Sequence, residues 1–327
     1  MSRTEEFQEL RPLLFSIAYR ILGSVSEAED AVQETWLRFE TAPAEPRSAK
    51  AYLSAAVTRI SIDVLRSARV RREEYTGPWL PEPLLADPYQ DPERSAELAD
   101  SLSMAALVLL ERLSPLERAV FVLREVFDFG FSEVASAVGR SEAACRQLVV
   151  RARRHMAAGR PRFEAARTAR EELASRFFDA LHEGDVAGLQ NLLSADVSMV
   201  GDGGGRAPQL AKAVFGAQNV ARLLASVFPQ MALIGVTFEP HEINGQPGAI
   251  FRDQDGKVLH TLALDVLDGR IQTIHAVINP DKLGHVGPVA DARAIDREVR
   301  QARQLTKWQT APRTPLHELS LSESELG

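Results

Sequence analysis

The fragment GRSEAACRQLVVRARRHM, residues 139–156, holds five arginines and one histidine against one acid, in a chain of 327 residues with formal net charge −7. Guanidinium groups at that density neutralise phosphates and offer paired donors to base edges, which is the chemistry of nucleic-acid recognition. A second basic run closes on Arg59, Arg66, Arg69, Arg71 and Arg72. A third set differs in kind. Asp202, His260, Asp265 and His275 are acid–base groups that would suit proton transfer if one apolar pocket gathered them. The single cysteine, Cys145, excludes an intrachain disulfide and a cysteine-based zinc site.

At 45% hydrophobic and 25% charged residues, the chain reads as globular, with two or three domains. Charge is segregated along it: residues 1–72 carry +1, 73–130 carry −8, 131–162 carry +5 and 163–327 carry −5. A basic segment on an acidic body is the footprint of a nucleic-acid reader. The N-terminus lacks an apolar leader, and the longest apolar run, MAALVLL at 104–110, is too short to span a bilayer. The expectation is a cytoplasmic protein with no membrane partner.

Ser141 can cap a helix whose Cys145, Leu148, Val149, Ala152 and Met156 form one apolar stripe. Its opposite side shows Ala143, Gln147, Val150 and Arg154, flanked by Arg146, Arg151 and Arg153. Upstream, FSEVASAVG predicts a short helix with Val134, Ala135 and Val138 inward, stopped by Gly139. Two helices across a tight glycine turn, the second basic, make a helix-turn-helix pattern. The alternative is a helix face that arginines merely solvate. A preceding helix starts with Ser114, Pro115 and Glu117, a capping box, and repeats Leu116, Val120, Leu123 and Phe127 at helical spacing.

Three more helices are predicted at the N-terminus. One ends at Gly23, one opens with a capping box from Ser26 to Glu29, and one places Tyr52, Ala56, Ile60 and Val64 on one stripe. The arginines ending the third also suit the negative end of its helix dipole. Residues 73–100, rich in proline and acids, read as a flexible linker. Trp79, among Pro78, Pro81 and Pro83, is expected to pack on a domain, either as a regulatory contact or as a simple clasp. Beyond about residue 165, helices give way to an antiparallel meander with hairpin turns at Asp255-Gly256 and Asp268-Gly269, an α+β pattern.

GSVSEAEDAVQETWLRF, AYLSAAVTRISIDVLRSARVRR and LSPLERAVFVLREVFDFGFSEVASAVGRSEAACRQLVVRARRHM resemble, in order and spacing, regions 2 and 4 of bacterial extracytoplasmic-function sigma factors. GPWLPEPL at 77–84, DGGGR at 202–206 and NPDKL at 279–283 look like the SigJ-type group, in which a SnoaL-like domain is fused to the sigma factor. Arg206 stands where the glycine motif is expected to carry lysine, and the tail after Leu283 exceeds what the motif requires. The resemblance implies a multi-domain chain. Two all-α sigma domains, region 2 at 1–72 and region 4 at 101–162, flank the linker at 73–100. An α+β SnoaL/NTF2-like cone at 165–285 follows, then a tail at 286–327 that is expected to be partly disordered.

The same resemblance implies roles. Asp30, Gln33, Glu34 and Trp36 would meet the largest-subunit clamp of core RNA polymerase, and region 4 the flap of the second-largest subunit. Arg59, Arg66, Arg69 and Arg72 would hold the melted −10 element, whose unpaired bases can leave the stack. Ser141, Ala144, Arg146 and Gln147 would approach base edges of the −35 major groove, with Arg151, Arg153 and Arg154 on its phosphates. Trp79, Asp202, Gly203, Gly204, Gly205, Arg206, Asn279, Pro280, Asp281, Lys282 and Leu283 would form an interdomain contact that replaces a separate anti-sigma factor. No cofactor, metal or catalytic residue is implied, and polymerase supplies the catalysis. Two other readings stand beside this one. The C-terminal domain could be a small-molecule sensor or an isomerase- or cyclase-like enzyme, although all four tyrosines (19, 52, 75 and 89) precede it. A repressor with one helix-turn-helix would leave residues 1–72 unexplained.

Overall fold

The structure is a computed structural model that describes residues 2–91, 95–157, 167–207 and 212–310, with side chains described at all of these except 69–73, 95–97, 157 and 302–310. Helix α1 (Arg3–Leu22) starts in a capping box between Ser2 and Glu5 and stops at Gly23, whose φ of +70° only glycine adopts cheaply. Helix α2 (Val25–Glu40) follows at once, so its cap is Ser24, bonded to the Glu27 amide, and not Ser26 as the sequence predicts. A distant residue completes this N-terminus: the Glu82 carboxylate accepts from the amides of Val25 (2.7 Å) and Ser26 (3.3 Å).

Helix α3 (Ala49–Glu73) buries Leu53, Val57, Ile60, Leu65 and Ala68, one step round from the predicted stripe, and leaves Tyr52 37% exposed. Polar residues hide this face in the sequence. Thr58 and Ser61 are buried on it because their hydroxyls bond the carbonyls of Ser54 and Val57 one turn back. Helices α4 (Ser95–Leu102), α5 (Met104–Leu110), α6 (Pro115–Phe121), α7 (Phe131–Val138) and α8 (Glu142–Ala157) complete the helical part. The Ser114–Glu117 capping box forms as predicted, and a π-helical turn at Val122–Val126 follows α6. Gly139, at φ +63°, ends α7 and makes the turn into α8. Cys145, Leu148, Val149, Ala152 and Met156 are buried as the stripe predicts. A single apolar cluster runs from Leu14 and Ile17 of α1 through Val57 of α3 to Val120 and Leu148, so α1–α3 and α5–α8 share one core.

The C-terminal part comprises α9 (Arg167–Glu183), α10 (Val186–Leu192), β1 (Leu193–Asp202), β2 (Val214–Phe215), α11 (Ala217–Leu233), β3 (Thr237–Ile243), β4 (Gln246–Arg252), β5 (Val258–Leu267), β6 (Arg270–Val277), a 3₁₀ turn (Pro280–Lys282) and α12 (Ala292–Thr310). Strand order is β2-β1-β6-β5-β4-β3. Strands β3 to β6 are the expected meander, but β1 lies parallel to β6, with Val200 opposite His275, so the sheet is mixed. The chain reaches the meander from β1 through the crossover helix α11, and a crossover permits parallel pairing.

One sheet face packs on α9–α11 through Leu262, Leu264 and Ile274. The other carries Ile250, Ala263 and Val277 and meets Leu80 and Met104 of the helical part. The predicted flexible linker is therefore partly core: residues 80–84 are buried. The residues that follow 285 begin by packing on the domain. Val258 donates to Pro288 and accepts from Ala290, while Ala292, Ile295 and Val299 of α12 pack on the domain. Residues 311–327 of the predicted tail lie outside the described residues.

Candidate nucleic-acid interface and interdomain clasp

Helix α8 projects its basic face away from the core. Ser141 caps its first turn by accepting from the Ala144 amide at 3.2 Å. Ala144 is half-buried, whereas Arg146, Gln147, Arg151, Arg153, Arg154 and Val150 are exposed. Each exposed cation with a resolved partner is held by a carboxylate it can exchange. Arg146 pairs with Glu142 at 2.8 Å and lies 4.8 Å from the Phe131 ring, Arg151 pairs with Glu117 at 3.1 Å, and Arg153 grips Glu125 through two bonds of 2.8 and 2.9 Å. The Glu125 carboxylate also raises the Arg153 guanidinium pKa above its ordinary value. The Arg146–Glu142 pair is exposed on both sides and loosely held, whereas Glu117 and Glu125 are only 11% and 21% exposed, so Arg151 and Arg153 reach solvent from mostly buried carboxylates.

Of the four arginines assigned to −10 reading, Arg59 is committed elsewhere. Its Nε donates to Ala137 O at 2.9 Å and its Nη2 to Ser136 O at 2.5 Å, at the C-terminal end of α7. Arg66 pairs with Asp63 at 3.0 Å in solvent. The side chains of Arg69, Arg71 and Arg72 lie outside the described residues. On α2, Asp30 and Gln33 are exposed, Glu34 pairs with Arg38 at 2.8 Å, and Trp36 is half-buried with its ring 4.9 Å from Phe7.

Three polar plugs tie the C-terminal domain to the linker and α1. In the first, Asp202, fully buried at the end of β1, accepts from Tyr75 OH (2.5 Å), the Leu80 amide (2.8 Å) and Lys282 Nζ (2.7 Å). Lys282 Nζ also donates to Leu80 O and sits 4.1 Å from the Trp79 ring. Asn279 donates to Tyr75 OH at 2.8 Å. Burial, then the Asp202 carboxylate, push the Tyr75 hydroxyl pKa up, so it stays a donor. The glycines of the motif lie against the linker: a Cβ on Gly204 would meet Asn279 Nδ2 at 2.3 Å and Tyr75 OH at 2.9 Å, and one on Gly205 would meet Thr76 at 3.2 Å. Arg206 pairs with Asp281 in solvent at 2.9 Å, so Asp281 turns to its own domain and away from the linker. Leu283 is fully buried beside Leu80.

The second plug is Asn244, at φ +54° in the β3–β4 turn. Its amide donates to Leu84 O (2.7 Å), its Oδ1 accepts from Leu84 N (3.0 Å), and its Nδ2 donates to Tyr19 OH (2.7 Å) and Leu102 O (3.2 Å). In the third, Glu82 accepts from Ser24 Oγ at 2.8 Å besides capping α2, and His285 touches Pro83 O at 2.6 Å. Beneath these plugs the linker is anchored to the helical part: Arg20, fully buried on α1, donates to Asp87, Leu98 O and Ser101, each at 2.9 Å.

The acid–base set is not gathered. Asp202 serves the clasp. His275 Nδ1 lies 3.1 Å from Asp265 on the sheet face toward Ala263, and both are buried. His260 stands apart on the other face, stacked on Phe251 at 4.2 Å. Tyr75 precedes the domain in sequence and bonds it in space, but at the clasp and not in an acid–base pocket.

Two helical modules sharing one core, one of them a helix-turn-helix with a basic outer face, and an α+β domain clasped to their linker define a transcription factor built like a sigma factor. Sequence models of sigma-70 region 2 and sigma-70 region 4 match residues 7–71 and 103–156. The chain is 37% identical over 300 residues to the ECF RNA polymerase sigma factor SigJ of Mycobacterium tuberculosis strain ATCC 25618 / H37Rv, covering 88% of this chain and 95% of that relative. A probable ECF RNA polymerase sigma factor SigI of the same strain is 29% identical over 276 residues, covering 84% and 92%. The crystal structure of the M. tuberculosis extracytoplasmic function sigma factor SigJ superposes with a TM-score of 0.69 at 34% identity, over 88% of this chain and all of that one. The chain belongs to the extracytoplasmic-function RNA polymerase sigma factors: it is a promoter-directing sigma factor with a fused C-terminal α+β domain, and it binds core polymerase and promoter DNA. No helix among the described residues is long and apolar enough to cross a membrane.

Proposed function

We propose that the C-terminal domain acts in place of a separate anti-sigma factor, holding regions 2 and 4 in a closed arrangement that must open for promoter binding. The Arg59 bonds to Ser136 and Ala137 support this most directly. They join the −10 helix α3 to the −35 module, whereas the names of the two elements put them about 25 base pairs, roughly 85 Å, apart on DNA. The two surfaces cannot stay in contact and read both elements. A domain that grips residues 75–84 fixes the segment that would have to extend. Tethering makes weak contacts sufficient, because the effective concentration is roughly millimolar.

In the open state, Asp30, Gln33, Glu34 and Trp36 meet the polymerase clamp, and region 4 meets the flap. Arg59, released from α7, joins Arg66, Arg69 and Arg72 on the −10 strand. Ser141, Ala144, Arg146 and Gln147 face −35 base edges, with Arg151, Arg153 and Arg154 on phosphates. The test is energy transfer between dyes on α2 and α8, paired with run-off transcription. High transfer in the free chain, loss on adding core polymerase, and loss at lower polymerase concentration in Asn244→Ala are expected. Equal transfer with and without polymerase would overturn the closed-state reading.

A further inference from the structure

A cavity of about 480 Å³ opens on the sheet face opposite the clasp, between α11, the sheet and α12. Its walls are apolar, with Met199, Leu223, Phe228, Leu262, Ile295 and Val299 among them. His260 supplies a polar group from within the wall. It is 4% exposed, stacks on Phe251 and has no hydrogen-bond partner among the described residues. Burial lowers its pKa to about 3, so the ring is neutral at pH 7, with one nitrogen to donate and one to accept. The ring lines the cavity, where a ligand group can bond one of its nitrogens.

Helix α12 closes the outer side. Ala292, Ile295 and Val299 face the cavity, while Asp296 and Arg300 pair at 2.8 Å on its rim. The same helix touches the clasp: Arg293 donates to Gly205 O at 2.9 Å, and Gly205 lies against Thr76 of the linker. Arg293 thus joins the helix that walls the cavity to the glycine turn of the clasp.

We propose that this cavity binds an uncharged, largely apolar small molecule that presents one hydrogen-bonding group to His260, and that α12 is its door and transmits occupancy to the linker through Arg293. Binding stands by itself, while transmission rests on the clasp reading above.

The test uses the full-length chain and competition against the neutral fluorophore N-phenyl-1-naphthylamine. Two competitors of one shape are compared, 1-adamantanol and 1-methyladamantane. Both should displace the fluorophore saturably, the alcohol about tenfold more tightly, since one hydrogen bond contributes on that scale. In His260→Phe, which keeps a ring against Phe251, the preference should vanish while the fluorophore still binds. Leu224→Trp, filling the cavity, should abolish binding by a chain that still melts cooperatively. No saturable binding, or an alcohol preference that survives His260→Phe, overturns the site. Transmission is read separately, from Trp79 emission in a Trp36→Phe/Trp308→Phe background. 1-Adamantanol should shift it, and Arg293→Ala should remove the shift but leave binding intact. Binding with no shift, or a shift indifferent to Arg293→Ala, overturns transmission and leaves both the site and the closed-state reading standing.

Discussion

The basic face of α8 and the clasp around Asp202 are both built from ion pairs, but solvent divides their energetics. Arg146 and Glu142 have side chains 56% and 44% exposed, so their pairing is screened and easily surrendered to DNA. Lys282 and Asp202 are 8% and 0% exposed, and every oxygen of the carboxylate is used. A reading surface needs charges that can change partners, while a clasp needs charges that cannot find another. Substitutions should therefore weigh very differently in the two places.

The largest effect is expected from Asp202→Ala. It strands a buried ammonium, a tyrosine hydroxyl and the Leu80 amide, and breaking one side of a buried pair costs about 3–5 kcal/mol. Chemical denaturation should show that loss, and hydrogen exchange should show the Leu80 amide newly exposed. Asp202→Leu with Lys282→Met should recover much of the stability without restoring the clasp. Asp281→Ala is the internal control. Its pair with Arg206 is exposed, so it should cost under about 0.5 kcal/mol. A loss below about 1 kcal/mol for Asp202→Ala would erase the contrast with α8.

Next comes acidity, because His260 is buried neutral. Its folded pKa, about 3, lies below the ordinary histidine value of 6.5, so between those values the unfolded chain binds the proton and the folded chain does not. Stability then rises with pH across that window and falls on acidification, by at most about 1.4 kcal/mol per pH unit from this group. Above pH 6.5 the contribution is constant. Melting His260→Phe beside the parent at pH 7, 6, 5 and 4 should show a slope shallower by one proton. Parallel curves would mean that the ring protonates in place.

These residues differ in how well the sequence announced them. The apolar stripe of α8 and the Ser114 capping box were legible because helical spacing and a cap three residues away are local signals. The cap of α2 was not, since half of it comes from Glu82, some 57 residues on and inside a stretch whose prolines and acids read as solvated. Asn244-Gly245 is the dipeptide that marks a tight hairpin, as strong a signal as the two Asp-Gly turns, yet no pattern says that the turn plugs into Tyr19 and Leu102. The buried face of α3 was displaced by one position because Thr58 and Ser61 satisfy their hydroxyls on their own helix. The part Tyr75 plays in the clasp carried no local signal, because its partners Asp202 and Asn279 lie 127 and 204 residues away in the chain.

On the reading surface itself, Arg146→Ala and Arg154→Ala should fail differently. Under the proposed docking, Arg146 lies near the start of α8 that faces the groove and Arg154 near its other end. A bidentate base contact is worth roughly 1–3 kcal/mol and depends on the base, whereas a phosphate contact lowers affinity for all promoters and flattens the salt dependence. Holoenzyme binding to a panel of −35 variants, at several salt concentrations, separates the two. Uniform weakening by both would place Arg146 on the backbone.

The smallest effect tests whether the carboxylates beside α8 are there to be displaced. Glu125, 21% exposed, holds Arg153, 61% exposed, by two bonds, which makes it the firmest pair on this face and, under the proposed docking, one that DNA must break. Glu125→Gln keeps the shape and removes the charge. Stability should change by about 1 kcal/mol, since Arg153 stays hydrated and the glutamine amide keeps one of the two bonds to it. Holoenzyme affinity for promoter DNA should rise modestly, and the slope of log affinity against log salt should steepen by about one, as a cation previously neutralised by protein becomes free to release a counterion from phosphate. If the slope is unchanged, Arg153 never leaves Glu125, and that pair is a strut between α8 and the π-helical turn that belongs with the clasp.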